Sequence, residues 1–194
     1  MRELFDKCLS GPWTVSGDDV HYKLTREADR LTLVFSPTWN KHGWRHNFDF
    51  AVQMYKDSST VMLVHKGFKE MYHSVRDEIM GRIKDEIATG ARYLVGLGYS
   101  QGGALATLAH EDACFQFAGL DVSSVSFGAP KVIFAPSEYI RSRFVGLSRY
   151  VVQGDPVPMV PPWYSHVGKQ VRIGPFALLW PWNHEPDAYQ RSLV

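Results

Sequence analysis

Hydrophobic and polar residues follow two different periods along this chain. Short runs of apolar and β-branched residues, typical of buried strands, occur at residues 31–35, 61–64, 92–97, 122–127, 149–152 and 170–173. From Phe68 to Ile87 the apolar residues instead recur every three or four positions, which predicts a helix over residues 67–88 that ends near Gly90. The sequence predicts two further helices and one hairpin, over residues 101–112, 131–143 and 13–24.

Strands that are apolar throughout and alternate with helices are typical of a mostly parallel sheet with helices on both faces. The 194 residues suffice for one buried core, and no repeat or linker divides them. The sequence therefore predicts an α/β fold in which residues 1–194 form one compact domain. Two stretches, 38–50 and 174–183, match neither period.

Charge and cysteine content exclude several classes of protein. Lys and Arg total 21 against 20 Asp and Glu, so a net charge of +1 predicts no general attraction to nucleic acid. Cys8 and Cys114 form no C-x-x-C pair, which excludes a zinc ribbon, and leave open two free thiols or one disulfide. We expect no secretory signal and no membrane span, and hence a cytoplasmic protein, although export by another route stays open.

The strongest chemical signal is a G-x-S-x-G sequence at residues 98–102, between an apolar strand and an alanine-rich helix. Such a strand–turn–helix connection lifts its central serine, here Ser100, above the carboxyl edge of the sheet, where the helix N-terminus faces the hydroxyl. The sequence therefore predicts that Ser100 is a nucleophile. The alternative is a plain glycine-rich turn that binds phosphate, but the spacing matches neither a dinucleotide-binding motif nor a P-loop.

A serine nucleophile needs a base and an acid that orients the base. Asp155 directly follows a predicted late strand, so we expect it at the same edge of the sheet as Ser100, although an aspartate beside a proline also fits a turn cap. His110 lies more than two turns along the helix that leaves Ser100, and therefore points elsewhere. The pattern alone leaves His166 and His184 as candidate bases.

Six segments, in order, resemble the fungal-type (class three) lipase family of α/β-hydrolases. They are residues 64–72, 98–106, 126–132, 154–162 and 166–168, and the pair His184 and Tyr189. The resemblance implies an α/β-hydrolase fold that cleaves carboxylic esters of lipids, either acylglycerols (a lipase) or phospholipids (a phospholipase). It also implies that Ser100 is the nucleophile, Asp155 the acid and His184 the base, whereas His166 and His65 match structural positions.

The oxyanion formed in such a reaction needs two backbone N–H donors. One is expected from Gln101, which follows the nucleophile. The resemblance assigns the other to Thr38, although this chain has Ser36-Pro37-Thr38 where the family has Arg-Gly-Thr or Arg-Gly-Ser. Pro37 has no N–H, which leaves the loop geometry open. Tyr99 replaces the usual histidine beside the nucleophile and is predicted to shape the pocket.

Two aromatic stretches each allow two interpretations. Residues 38–50 align with the flap of fungal lipases and form either an apolar lid or an ordinary segment packed on the core; their aromatic residues include Trp39, Trp44 and Phe48. A second stretch ends just before His184 and forms either an exposed apolar patch suited to lipid substrates or part of the core. Its candidate pocket residues are Phe176, Leu179 and Trp180.

These residues and the resemblance together predict a serine esterase or lipase that acts on a lipid or small ester, with a transient contact with a lipid surface. Because the chain is shorter than typical members of the family, we expect a small, open pocket and a preference for short acyl chains. No cofactor, metal, nucleic acid or stable protein partner is implied. His42 and His46 have the spacing of a zinc protease motif, but Gly43 stands where that motif needs glutamate. Two alternatives stay open, namely a peptidase or acyltransferase with the same triad, and an inactive binding protein with the hydrolase fold.

Overall fold

A computed structural model describes residues 1–16, 20–37, 50–56, 58, 60–175 and 178–193. Its helices are α1 (Arg2–Leu9), α2 (Lys66–Ala88), α3 (Gln101–Gln116), α4 (Glu138–Ser142) and α5 (Pro186–Ser192). Its strands are β1 (Thr14–Ser16), β2 (Val20–Glu27), β3 (Arg30–Phe35), β4 (Val52–Tyr55), β5 (Met62–His65), β6 (Tyr93–Tyr99), β7 (Asp121–Phe127), β8 (Ile133–Phe134), β9 (Leu147–Val152) and β10 (Lys169–Ile173). Across these described ranges, every helix is too short or too polar to cross a membrane.

The main sheet has the strand order β1-β2-β3-β6-β7-β9-β10. Within this sheet, neighbouring strands are parallel from β3 through β6, β7 and β9 to β10. Only β1 and β2 run antiparallel to their neighbours, at the side next to β3, which confirms the predicted mostly parallel sheet. The predicted hairpin is also confirmed, because Thr14 pairs with Tyr22, while its turn lies outside the described residues. The carboxyl ends of β6, β7 and β9 therefore share one edge of the sheet.

Helices cover both faces of this sheet, as predicted. On one face, Phe68 of α2 and Leu105 of α3 pack with Leu94 of β6 in the larger core cluster. On the other face, Phe5 of α1 and Tyr189 of α5 belong to a smaller cluster that includes alternate residues of β6 and β7. Neither α1 nor α5 was predicted from the sequence. The signal for α1 was the helical spacing of its buried residues Phe5 and Cys8.

Two predicted elements differ from the structure. The run at 61–64 forms β5, but β5 lies in a separate antiparallel sheet of order β4-β5-β8. The helix predicted over 131–143 is wrong in its first half, where β8 pairs with β5 and only the short α4 follows. The physical reason is Pro136, which disfavours helical geometry at the residue before it, so that α4 begins only after Ser137, whose hydroxyl caps it.

Cys8 and Cys114 are free thiols, so the first of the two alternatives left open by the sequence holds. Cys8 is a buried residue of α1, and Cys114 lies in the last turn of α3. Burial raises the pKa of the Cys114 thiol to about 11, which keeps it protonated and unreactive near neutral pH.

His110 is a structural residue, as its helical position predicts. It lies on α3, where its Nδ1 is 3.0 Å from the Ser124 hydroxyl of β7 and its ring stacks on Phe144. Burial in this apolar setting lowers the pKa of His110 to about 4, because the charged imidazolium would lose its water.

We expect the protonation of His110 to oppose folding. Its pKa is about 4 when folded and 6.5 in the absence of the fold, so between these values only the unfolded chain binds the proton. The free energy of unfolding therefore falls as the pH falls through this window, by at most about 1.4 kcal/mol per pH unit for this histidine. Urea denaturation between pH 7.5 and 5 should show a shallower fall in His110→Gln than in the wild type. Equal slopes in the two proteins would contradict this assignment.

Candidate active site

Ser100 lies in the sharp turn between β6 and α3. Its backbone has a φ of 55° and a ψ of −124°, a conformation that non-glycine residues rarely adopt. The Ser100 N–H donates to the carbonyl of Phe127 at the end of β7, at 2.8 Å. This bond holds the strained residue at the carboxyl edge of the sheet, where the G-x-S-x-G sequence predicts it.

The glycines on either side of Ser100 are required by close backbone contacts. A Cβ atom on Gly98 would lie 2.1 Å from the carbonyl oxygen of Gly102. A Cβ atom on Gly102 would lie 2.5 Å from the carbonyl oxygen of Phe35. The first turn of α3 therefore rests directly against the carboxyl end of β3, which no residue with a side chain would allow.

A continuous chain of hydrogen bonds joins the three residues predicted as a triad. His184 Nε2 lies 2.8 Å from Ser100 Oγ, and His184 Nδ1 lies 2.8 Å from Asp155 Oδ2. Asp155 is buried in the loop after β9, whereas His184 ends a 3₁₀ turn (Pro181–His184) just before α5. The structure thus brings together side chains that are 84 residues and 29 residues apart along the chain.

The Asp155 carboxylate has further partners that fix its orientation. Its Oδ1 accepts the backbone N–H of Val157 at 2.9 Å, and its Oδ2 accepts the hydroxyl of Tyr189 at 2.6 Å. Burial and the neighbouring Asp155 charge raise the pKa of Tyr189 well above its ordinary value, so its hydroxyl remains a donor. Gly128 leaves room for this pair, because a Cβ there would lie 2.6 Å from the Tyr189 oxygen.

Sequence reasoning did not identify Tyr189 or Gly128 as residues of the site. The available signals were the His…Tyr pair at the end of the chain and the glycine that follows β7. Gly128 has a φ of +56°, which favours glycine independently of the crowding.

His166 occupies a structural position rather than the position of the base. Its Nε2 donates to the carbonyl of Pro158 at 2.7 Å, and so ties down the loop that holds Asp155. Burial lowers the pKa of His166 to about 4, which keeps the ring neutral. His65 is likewise structural, because its Nδ1 accepts the N–H of Phe68 and caps α2.

The two predicted oxyanion donors differ in what the structure shows. Gln101 is the first residue of α3, and among the described residues its backbone N–H has no acceptor, as a donor to substrate requires. Thr38 lies outside the described residues, and so do Trp39, Trp44, Phe48 and Phe176. Pro37, immediately before Thr38, is buried.

The three remaining predicted pocket residues divide into two groups. Leu179 and Trp180 are each 57% exposed, so this segment is an exposed apolar patch and not part of the core. Tyr99 was predicted to shape the pocket, but the structure corrects this. Its side chain is only 4% exposed and packs behind the His184 ring, because the last residue of β6 points into the smaller core cluster.

A cleft of about 310 Å³ opens beside the acid loop. Its wall includes Gly154, Asp155 and Leu179, but neither Ser100 nor His184. Since the reacting carbonyl must contact Ser100, this cleft does not hold the reacting part of a substrate. Among the described residues, we find no group of three His, Cys, Asp or Glu side chains arranged to bind a metal ion.

Sequence comparison assigns the chain to a known family. The profile of the family described as lipase (class 3) matches residues 32–165, which is more than half of the chain. The chain belongs to the class 3 lipase family. The lipase of Rhizomucor miehei is 29% identical to this chain over 153 residues. The aligned residues cover 74% of this chain and 41% of that protein.

Solved structures show the same fold. The Rhizomucor miehei lipase propeptide complex matches with a TM-score of 0.74 and 24% identity, covering 84% of this chain and 56% of that one. Lipase II from Rhizopus niveus matches with a TM-score of 0.71 and 25% identity, covering 79% of this chain and 62% of that one. These matches confirm the α/β-hydrolase fold. The chain spans about two fifths of the length of its curated relative.

We expect Gly98→Ala to lower the free energy of unfolding by about 1–3 kcal/mol, because the added Cβ would collide with rigid backbone. Gly81→Ala is the matched control, since a Cβ at this position within α2 meets no atom within 4 Å. That control should be neutral or should stabilise the helix by about 0.5–1 kcal/mol. Thermal and urea denaturation measure both changes. A Gly98→Ala protein as stable as the control would show that the turn is not crowded.

Proposed function

We propose that this protein is a serine hydrolase that cleaves carboxylic esters of lipids. The observation that carries the proposal is the chain of hydrogen bonds from Ser100 through His184 to Asp155, at the turn where a G-x-S-x-G nucleophile lies. Membership of the class 3 lipase family supports the same activity. Because the chain spans less than half of its curated relative, the substrate is also part of the proposal.

The geometry supports a complete acyl-transfer cycle. Ser100 Oγ attacks the ester carbonyl while His184 Nε2 takes its proton, and Asp155 stabilises the resulting imidazolium through Nδ1–H. The N–H of Gln101, with that of Thr38 as the proposed second donor, stabilises the oxyanion. His184 then protonates the departing alcohol, and a water molecule releases the acyl group from Ser100 by the reverse proton transfers. The cycle needs neither a metal ion nor a cofactor.

An exposed apolar patch beside the base supports a lipid substrate. It consists of Leu178, Leu179, Trp180 and Trp182, which are 79%, 57%, 57% and 65% exposed. Four large apolar side chains in a five-residue stretch are unfavourable in water, and favour contact with an apolar phase. The patch ends two residues before His184, so a lipid surface that covers it would bring ester groups near Ser100.

No observation favours the alternatives over this proposal. An inactive binding protein has no need of a buried carboxylate aligned on a histidine and a serine. A peptidase or an acyltransferase would use the same residues, and differs only in the leaving group or in the acceptor. Parallel assays with matched ester and amide substrates separate these enzymes.

We expect Ser100→Ala to lower turnover of p-nitrophenyl butyrate by at least about 10³-fold, because no other group can form the acyl intermediate. The matched control is Ser142→Ala, which removes an exposed hydroxyl from α4 and should leave turnover unchanged. A fluorophosphonate should add one equivalent of mass to the wild type, on Ser100, and none to Ser100→Ala.

Three outcomes would contradict this proposal. Equal turnover by wild type and Ser100→Ala would mean that another residue is the nucleophile. A wild type that neither turns over the ester nor reacts with the fluorophosphonate would indicate a binding protein. Faster cleavage of the amide than of the ester would indicate a peptidase.

We expect Trp182→Ser to weaken binding to vesicles of a neutral phospholipid by roughly tenfold, which corresponds to about 1.4 kcal/mol of lost apolar contact. Hydrolysis of emulsified tributyrin should fall more than hydrolysis of dissolved p-nitrophenyl butyrate. Phe115→Ser is the control, because Phe115 is a 49% exposed aromatic residue at the opposite end of α3 from Ser100. Equal losses in the two variants would contradict a role for the patch.

A further inference from the structure

We propose that Tyr99 is a positioning residue for His184, and that it does so through two separate contacts. Its hydroxyl donates to the backbone carbonyl of His184, and its ring lies against the His184 imidazole. This inference rests on the proposed function, because it concerns the base of that reaction. It assigns a task to the residue that replaces the histidine usual for the family beside the nucleophile.

His184 lies on a segment that receives little support from packing. The preceding side chains from Leu178 to Trp182 are largely exposed, and therefore do not hold the segment against the core. One backbone hydrogen bond, from the Trp180 N–H to the Gly154 carbonyl at 3.0 Å, ties its middle to the acid loop. The bond from Tyr99 ties its end, at the residue that must accept the proton of Ser100.

Tyr99 itself is held rigidly. It is the last residue of β6, a strand paired on both sides by β3 and β7. Its ring makes a T-shaped contact with Phe5 at 5.2 Å and packs on Tyr189 at 5.4 Å, measured between ring centroids. Burial raises the pKa of Tyr99 well above its ordinary value, so the hydroxyl keeps its proton and remains a donor near neutral pH.

The ring contact adds a second effect, on charge. The Tyr99 and His184 rings are stacked, with centroids 5.2 Å apart and planes 28° from parallel. The face of an aromatic ring attracts a cation, and His184 becomes cationic only after it has taken the proton of Ser100. The contact therefore stabilises the transition state more than the resting enzyme, and its loss should lower kcat and not raise KM.

The two contacts also place the base and the nucleophile in one unit. Tyr99 and Ser100 are adjacent in the chain, so the residue that carries the nucleophile is bonded directly to the residue that fixes its base. Histidine, the residue usual at this position in the family, has no phenolic hydroxyl. In this chain, the tether to the His184 carbonyl is made by the Tyr99 phenolic hydroxyl.

Tyr99→Phe and Tyr99→Leu separate the two contacts, with Tyr22→Phe as the matched control. Tyr22 is also fully buried and also donates a hydrogen bond from its hydroxyl, but on the opposite face of the sheet. For p-nitrophenyl butyrate, Tyr99→Phe should lower kcat roughly 5–10-fold with KM within twofold. Tyr99→Leu should lower kcat further, because it also removes the ring that stacks on the His184 imidazolium.

Backbone amide exchange tests the positioning without reference to turnover. The N–H groups of Asn183 and Glu185 donate within the turn that holds His184. We expect their exchange with deuterium to quicken roughly tenfold in Tyr99→Phe and to stay unchanged in Tyr22→Phe.

Unchanged kcat and unchanged exchange in Tyr99→Phe would overturn the inference, as would an equal loss of kcat in Tyr22→Phe. If the wild type is inactive and yet Tyr99→Phe quickens the exchange, the proposed function fails while the tether stands. If the wild type is active and reacts with fluorophosphonate but Tyr99→Phe behaves like it, the tether fails while the proposed function stands.

Discussion

The buried carboxylate of Asp155 is the constraint around which the rest of the site is arranged. A buried negative charge is costly unless its oxygens are hydrogen-bonded, because it has lost its water. Here the Val157 N–H, the Tyr189 hydroxyl and the His184 ring each contact one of its oxygens. These donors come from the acid loop, from α5 and from the turn before α5. Satisfying one charge therefore fixes three pieces of chain relative to one another.

The smaller core cluster explains how α1 and α5 contribute to the chemistry. Phe5 of α1 contacts Tyr99, Phe127 and Tyr189 through its ring, so it lies behind both the nucleophile turn and the acid. Tyr189 of α5 contacts Asp155 with its hydroxyl and Tyr99 with its ring. The face of the sheet that carries these two short helices is therefore the platform under the triad. The larger cluster, on the other face, holds the two long helices.

The segment that ends at His184 serves two opposing needs. Its apolar side chains face solvent, which suits the proposed contact with a lipid surface but removes the packing that would hold the segment still. Its last residue must nonetheless stay within 2.8 Å of Ser100. Hydrogen bonds to Gly154 and from Tyr99, together with the bond between His184 and Asp155, supply the fixation that burial does not.

The sequence by itself determined the parts that depend on local pattern. Hydrophobic periods indicated the parallel strands and the long helices, and the G-x-S-x-G turn identified Ser100, because a strained turn needs small neighbours in sequence. The place of Asp155 after a late strand made it a candidate acid, and the family resemblance favoured that role over a turn cap. The choice of base did not follow from the pattern, since His166 and His184 both lie downstream, and only the family resemblance favoured His184. The structure supports His184, because contacts with Tyr99 and Asp155, 85 and 29 residues away, place its imidazole 2.8 Å from Ser100. The same reason explains why α5, the second sheet and the location of Tyr99 behind the histidine became visible only in the tertiary structure.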